Sequence, residues 1–172
     1  MAVDVGPLID ADAHARVRSY VALAGEEGEV VLAVDDVPDQ GFFVGPTIVV
    51  GVRPGSRVAT AEIFGPVLAV FRAGSFDEAL ALANDTEYAL TAGVVSRSPA
   101  HIRLAAAELR AGNVYVNRTI TGAVVGRQPF GGYGMSGVGS KAGGPDYLLQ
   151  FLEPRTISEN TLRQGFAPAE AR

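Results

Sequence analysis

The chain has 172 residues, of which 48% are apolar and 19% are charged, and its formal net charge at pH 7 is −5. This size and composition predict one soluble globular domain, and the negative charge argues against nucleic acid as a partner. The sequence contains neither an apolar run of the roughly 18 residues that cross a bilayer nor the basic start of a signal peptide, so we expect a cytoplasmic protein without membrane contact.

The residue inventory limits the chemistry that the chain can perform. Cys is absent, which excludes disulfides, thiolate metal sites and a thiol nucleophile within these residues. The two histidines, His14 and His101, lie far apart, and neither has a second His at a spacing typical of metal ligands. We interpret both as solvated helix positions and predict no metal site.

Three helices are predicted in chain order. Apolar residues at helical spacing from Val17 to Ala24 predict a helix over 12–24, with Asp10 or Asp12 as its N-cap. The second helix begins at a capping box formed by SFDE at 75–78 and continues through 80–83. Ser-Pro at 98–99 supplies an N-cap and a first-turn proline for a helix to residue 110, with Gly112 as its C-terminal stop.

Short β-branched or aromatic runs lie between these helices, at 42–50, 67–71, 93–96 and 113–117. Strands that alternate with helices predict an α/β fold in which helices cover an open sheet. The last run, at 147–160, is too apolar in its first half to be left in water, and Pro154 restricts it to a sheet edge or a bend. An exposed edge of this kind tends to pair with another strand.

A G-x-G-x-x-G pattern occurs at 132–137, within a glycine-rich stretch. A dinucleotide-binding fingerprint follows a strand and opens a helix. Here turn residues precede the pattern, and the glycines and Pro145 that follow it disfavour a helix. We therefore interpret these glycines as positions where the backbone adopts positive φ and approaches a neighbour closely, and not as a pyrophosphate site.

Five sequence blocks occur in an order that resembles the C-terminal third of an aldehyde dehydrogenase. They cover nearly the whole chain. The blocks are GFF with PT at 41–47, EIFGP at 62–66, NDTEYAL at 84–90, GNVYVN at 112–117, and PFGGY with MSG at 129–137.

Within that superfamily, two further blocks are similar to the 1-pyrroline-5-carboxylate (L-glutamate γ-semialdehyde) dehydrogenases. They are GRQPFGG at 126–132 and SKAGGPDYL at 140–148. The resemblance implies a parent enzyme that oxidises L-glutamate γ-semialdehyde to glutamate with NAD. Position 134 is Gly, where relatives often carry Lys, which is a mild departure in a loop.

The resemblance implies roles for five residues. Glu62 is expected to hydrogen-bond the nicotinamide ribose hydroxyls of NAD, and Phe64 is expected to pack near the nicotinamide ring. Gly143 and Gly144 are expected to present backbone N–H groups to the α-carboxylate of the substrate, because successive N–H groups in a glycine turn form an anion-binding concavity. Phe151 is expected to pack on the aliphatic chain of the substrate. A plain glycine-rich turn remains the alternative for residues 143–144.

The resemblance also implies a domain organisation. Residues 1–146 are expected to form part of an aldehyde dehydrogenase catalytic domain, and residues 147–172 a C-terminal oligomerisation strand and tail. Within the tail, residues 148–157 correspond to a strand that adds to the sheet of a partner subunit. We therefore expect a homo-oligomer.

The family's catalytic groups lie outside the part that this chain resembles. In the family, a cysteine thiolate attacks the aldehyde, hydride passes to NAD, and the thioester is hydrolysed. Because the chain lacks Cys and a Rossmann unit, we predict no catalytic residue within it, no aldehyde oxidation by the chain alone, and weak or no binding of free NAD.

Two hypotheses remain open at this point. In the first, the chain is a fragment of an NAD-dependent semialdehyde dehydrogenase and shares the function of its parent. In the second, it is a stand-alone, non-catalytic oligomerisation or interaction module derived from an aldehyde dehydrogenase. The sequence leaves undecided the preference between NAD and NADP, and whether the parent also carries a proline dehydrogenase.

Overall fold

A computed structural model describes residues 5–137 and 139–160. The described chain divides into two compact units: residues 5–122 with 131–137, and residues 123–130 with 139–160. This differs from the single domain predicted from length. The chain passes from one unit to the other at 122–123 and again at 130–131. The predicted functional boundary at residue 146 stays a prediction.

The first helix of the first unit is α1 (Ala11–Glu27). Its N-cap is Asp10, whose carboxylate accepts a hydrogen bond from the Ala13 N–H at 2.7 Å. Gly28 ends the helix and donates its N–H to the Ala24 carbonyl. The predicted helix is therefore confirmed and is longer at both ends. A short helix that was not predicted, α2 (Arg57–Thr60), precedes the EIFGP block.

The predicted N-caps of two further helices are confirmed. In α3 (Phe76–Asn84) the Ser75 side chain accepts from the Glu78 N–H at 3.1 Å, and in α4 (Pro99–Glu108) Ser98 caps the first turn. The prediction that Gly112 stops α4 is wrong, because Leu109 is the C-cap. Gly112 instead lies against another backbone segment, where an added Cβ would sit 1.7 Å from the Gly131 carbonyl oxygen.

The strands of the first unit form three small sheets in the described part of the chain. In the largest, β1 (Glu29–Ala33) pairs antiparallel with β2 (Thr47–Val50), which pairs in parallel with β3 (Val67–Val70). The short strands β4 (Tyr88–Ala89) and β7 (Tyr133–Gly134) pair antiparallel. The third sheet joins β5 (Thr91–Val94) and β6 (Asn113–Val116) in parallel. The mixed α/β class with open sheets is confirmed, whereas β1, β4 and β7 were not predicted.

Two hydrophobic clusters stabilise the first unit. One joins α1, β2 and the region around α2. The other joins α3, β5 and α4. The buried members of the first cluster are Val17, Ala24, Val49, Val52, Val58 and Ile63, and those of the second are Leu80, Val94 and Ala105.

In the second unit, a 3-10 helix spans Tyr147–Phe151, within the apolar run for which a sheet edge or a bend was predicted. Three i to i+3 hydrogen bonds, the first from the Tyr147 N–H to the Gly144 carbonyl, satisfy backbone groups locally. A lone strand would leave these groups without ladder partners. Residues 152–160 form neither helix nor strand. The pairing of 148–157 with a partner subunit stays a prediction.

Candidate functional site

The loop that follows α2 presents two of the five predicted site residues. Ile63 is buried, with 7% of its surface exposed, whereas the flanking Glu62 and Phe64 are exposed. The Phe64 ring is 75% exposed, and its backbone has a φ of 56°. A large non-glycine residue in the left-handed region carries a cost of about 1–3 kcal/mol and persists only where its surroundings hold it.

Two features of α1 hold this loop. The Arg16 Nη1 donates to the Ile63 carbonyl at 2.5 Å. A Cβ added to Gly65 would lie 2.6 Å from a methyl group of Val17, so only glycine allows this approach. Val17 itself is fully buried. The loop is therefore attached to the core both by a polar contact and by packing.

The exposed pair on this loop has a definite chemical capacity. A carboxylate accepts hydrogen bonds from neighbouring hydroxyl groups, and an exposed aromatic ring offers a flat face for stacking on a heterocycle. These two properties fit the ribose and the base at one end of a nucleotide. The pyrophosphate requires separate donors.

The glycines at 132–137 serve backbone packing in the described residues. Cβ atoms added to Gly132 and Gly134 would lie 2.6 Å from the Ala89 carbonyl oxygen and 2.5 Å from that of Glu87. The Ser136 hydroxyl accepts from the Ala89 N–H at 3.0 Å. Strand β7 is followed by a turn over 135–136 and not by a helix within the described residues. The interpretation of this pattern as close backbone approach is confirmed.

In the second unit, Gly143 and Gly144 lie in a tight turn. The Gly144 N–H donates to the Lys141 carbonyl at 2.9 Å, and Gly143 has a φ of 73°, as position i+2 of a type II turn requires. The Gly143 carbonyl accepts from the Gly126 N–H at 2.9 Å. Of the two N–H groups expected to face a carboxylate, that of Gly144 therefore already has an internal acceptor.

Phe151 ends the 3-10 helix and is 68% exposed. Its ring packs edge-on against Tyr147, with the two centroids 5.6 Å apart. The structure thus places Gly143, Gly144 and Phe151 in the second unit, and Glu62 and Phe64 in the first.

The histidines occupy helix surfaces, although neither is simply solvated. The His14 Nε2 lies 3.1 Å from the Phe43 carbonyl oxygen, and the His101 ring stacks on Phe76 at 4.1 Å. Among residues 5–137 and 139–160, no three His, Cys, Asp or Glu side chains form a group that could hold a metal ion. In the same residues, no helix combines the length and the apolar character that a membrane span needs.

Sequence reasoning missed Arg16 as a residue of the site. Its partner lies 47 positions along the chain, so no local pattern could have identified the contact.

Comparisons with known proteins give a consistent family. Residues 1–157 match the aldehyde dehydrogenase family. The 1-pyrroline-5-carboxylate dehydrogenase of Bacillus cytotoxicus is 49% identical over 156 residues, which are 91% of this chain and 30% of that relative. The chain therefore spans about 30% of the length of the curated relatives that it matches.

Solved structures give the same result. A 1-pyrroline-5-carboxylate dehydrogenase of Thermus with bound NAD is 48% identical, with a TM-score of 0.83 over 87% of this chain and 29% of that one. Proline utilization A of Bdellovibrio bacteriovorus is 55% identical, with a TM-score of 0.86 over 96% of this chain and 17% of that one. A lactaldehyde dehydrogenase is 31% identical, with a TM-score of 0.79 over 88% of this chain and 31% of that one.

Proposed function

Since the chain belongs to the aldehyde dehydrogenase family, we propose that it forms the C-terminal third of an NAD-dependent 1-pyrroline-5-carboxylate dehydrogenase. Such an enzyme oxidises L-glutamate γ-semialdehyde to glutamate in proline breakdown. The observation that carries the proposal is the loop at 61–65, which presents a carboxylate and an aromatic ring on either side of a buried Ile63. Relatives at 45–49% identity that share this activity support the substrate assignment.

On this proposal, Glu62 and Phe64 hold the nicotinamide end of the cofactor. The carboxylate of Glu62 accepts hydrogen bonds from the two ribose hydroxyls, and the Phe64 ring limits the positions open to the nicotinamide. NAD, when bound, supplies the hydride acceptor. A solved relative with bound NAD supports this assignment.

The substrate is expected to contact three residues of the second unit, Gly143, Gly144 and Phe151. The Gly143 N–H has no acceptor among the described residues and is available to a carboxylate. The Gly144 N–H must be shared with the Lys141 carbonyl, which lies 2.9 Å away. Phe151, with its exposed ring, provides an apolar surface for the methylene chain of the semialdehyde.

The isolated chain should not catalyse the reaction. It contains no Cys, so the thiolate that begins the family's chemistry has to come from another polypeptide segment. Steady NADH production from glutamate semialdehyde by the pure 172-residue protein would contradict this part of the proposal. Calorimetry with free NAD should give weak or no binding, because the chain supplies only one end of the cofactor site.

A chimeric enzyme tests the substrate assignment. Residues 5–157 of this chain replace the matching segment of the Thermus thermophilus 1-pyrroline-5-carboxylate dehydrogenase. The kcat/KM for glutamate semialdehyde is then compared with that for pentanal, which has a similar length and no carboxylate. A hydrogen bond to a charged group contributes about 1.5–3 kcal/mol, so the chimera should prefer the semialdehyde by roughly 10- to 150-fold.

A chimera without this preference would also give an interpretable result. A folded and active chimera that oxidises both aldehydes within about threefold has no working carboxylate site, since such a site contributes more than that ratio. In that case the assignment to glutamate semialdehyde fails, while membership of the family stands. The unmodified Thermus enzyme serves as the matched control.

The exposed apolar side chains near the C-terminus favour a second candidate function, a non-catalytic module that associates with other chains. Leu148, Leu149 and Leu152 are each more than 60% exposed. Exposed apolar clusters of this kind mark interaction sites. In either case we propose that the protein is cytoplasmic and forms homo-oligomers through residues 148–157.

A further inference from the structure

Helix α1 contacts both ends of the segment that carries Glu62 and directly precedes Phe64. At one end, the Glu27 carboxylate accepts from the Val58 N–H at 2.8 Å and from the Arg57 N–H at 3.2 Å. At the other end, the Arg16 guanidinium donates to the Ile63 carbonyl at 2.5 Å. We call the segment at 57–63 the braced segment.

The charge of each side chain suits the backbone groups that it contacts, since anionic Glu27 accepts from N–H groups and cationic Arg16 donates to a carbonyl. The first N–H groups of a helix lack internal acceptors, and a carboxylate near them is favourable. Glu27 therefore satisfies the start of α2. Ile63 has a carbonyl outside any helix or strand, and Arg16 supplies a charged donor to it.

The position of the Arg16 contact gives it a specific consequence. Its acceptor belongs to Ile63, the residue between Glu62 and Phe64. Fixing this peptide unit restricts the directions of both neighbouring side chains. The positive φ of Phe64 makes such a constraint necessary, because an unconstrained phenylalanine leaves the left-handed region.

We propose that Arg16 is a positioning residue for the cofactor-contacting loop, and that Glu27 fixes the far end of the same braced segment. The inference rests on the proposed cofactor role of Glu62 and Phe64. Arg16 touches no cofactor in this account. It acts through the Ile63 carbonyl. Its loss therefore increases the mobility of the loop but removes neither Glu62 nor Phe64.

The decisive experiment uses the full 172-residue chain with a tryptophan reporter. The chain contains no Trp, so Phe64→Trp introduces a single fluorophore at the loop itself. Fluorescence anisotropy and quenching by acrylamide report its motion and access. Adding Arg16→Ala should lower the anisotropy and raise the quenching constant, while Arg16→Lys should recover part of the change because an ammonium group also donates to a carbonyl.

The matched control is Arg18→Ala in the same reporter background. Arg18 lies on the same helix and is also exposed, and its side chain makes no hydrogen bond among the described residues, so its removal should leave both signals unchanged. Thermal unfolding of each variant shows whether the chain stays folded at the measuring temperature. Equal anisotropy and quenching in the Arg16→Ala and Arg18→Ala proteins would overturn the positioning role.

NAD affinity in the chimera separates this inference from the proposed function. There, Phe64 is kept and only Arg16 is changed. Loss of a typical hydrogen bond contributes about 0.5–1.5 kcal/mol, so Arg16→Ala should raise the Kd for NAD roughly 2- to 12-fold. A responsive reporter with an unchanged Kd would overturn the functional half of this inference, whereas the cofactor role of Glu62 is tested separately by whether Glu62→Ala raises the same Kd. A silent reporter would overturn the bracing itself.

Discussion

The loop at 61–65 and the segment at 141–151 each contain glycine and an exposed phenylalanine, yet different interactions fix their conformations. In the loop, the Ile63 side chain is buried and Gly65 lies against the buried Val17. In the segment, the described residues of the second unit include no buried side chain. Backbone hydrogen bonds hold it instead, such as the reciprocal pair at 2.9 Å between Phe130 and Ala142.

This difference predicts different local stabilities. Burial of apolar side chains contributes about 25 cal/mol per Å² removed from water, whereas one hydrogen bond contributes about 1 kcal/mol net. Regions with few buried contacts open at a lower free energy than the core. The loop should therefore unfold with the first unit, and the segment should open independently of it unless another chain covers it.

The largest expected effect comes from Gly112→Ala in the first unit. The added Cβ would lie 1.7 Å from the Gly131 carbonyl oxygen, so the two backbone segments must separate. We expect a loss of about 3 kcal/mol or more in the free energy of unfolding, at or above the upper end for overpacking. Urea unfolding followed by circular dichroism measures it. A loss below about 1 kcal/mol, the lower end of that range, would show that this packing is loose.

Gly65→Ala should have the next largest effect. The new methyl group would meet Val17 at 2.6 Å, which predicts a loss of about 1–3 kcal/mol. Gly25→Ala is the matched control, because Gly25 lies in α1 with open space around it. Helix propensity predicts a gain of up to about 1 kcal/mol there. If both variants lose stability equally, the contact with Val17 is not the cause.

A smaller effect is expected from Glu27→Gln, and it should depend on pH. The Val58 N–H, followed by the N–H and the guanidinium of Arg57, holds the pKa of Glu27 below its ordinary value of 4.5, against the opposing effect of burial. Because the pKa is lower in the folded state, ionised Glu27 stabilises the fold above pH 4.5, and this contribution disappears as pH falls through the folded-state pKa.

Unfolding of the parent and of Glu27→Gln at several pH values tests this. The parent should be more stable near neutral pH, and the two should converge in acid. Glu26→Gln is the control, since Glu26 is exposed and its side chain makes no hydrogen bond among the described residues. A stability difference that persists unchanged into acid would show that ionisation of Glu27 is not responsible.

The smallest effect on stability should come from Leu149→Ser in the second unit. Leu149 is 61% exposed, and substitutions at such positions usually change the free energy of unfolding by less than about 0.5 kcal/mol. Self-association is expected to weaken, because the exposed apolar run is the proposed contact between subunits. Light scattering at high micromolar concentration measures this. A parent chain that is monomeric under those conditions would contradict the oligomer proposal.

Features that depend on neighbours in sequence were determined by the sequence itself. The N-caps at Ser75 and Ser98 were predicted, and Asp10 was one of two candidates with Asp12, because a side chain that accepts from an N–H three residues away is encoded locally. The order of the family blocks likewise identified the aldehyde dehydrogenase family, which the match over residues 1–157 confirms. The roles of the five site residues stay predictions.

Features that depend on distant partners were decided only by the tertiary structure. Gly112 resembled a helix stop in sequence, but the backbone near Gly131 determines its role. Strand β1 was not predicted because its sequence lacks an alternation of polar and apolar residues. All of its residues are exposed in the structure, and its pairing with β2 defines it as a strand. Arg16 follows the same rule, since its acceptor lies 47 residues away and only folding brings the two groups together.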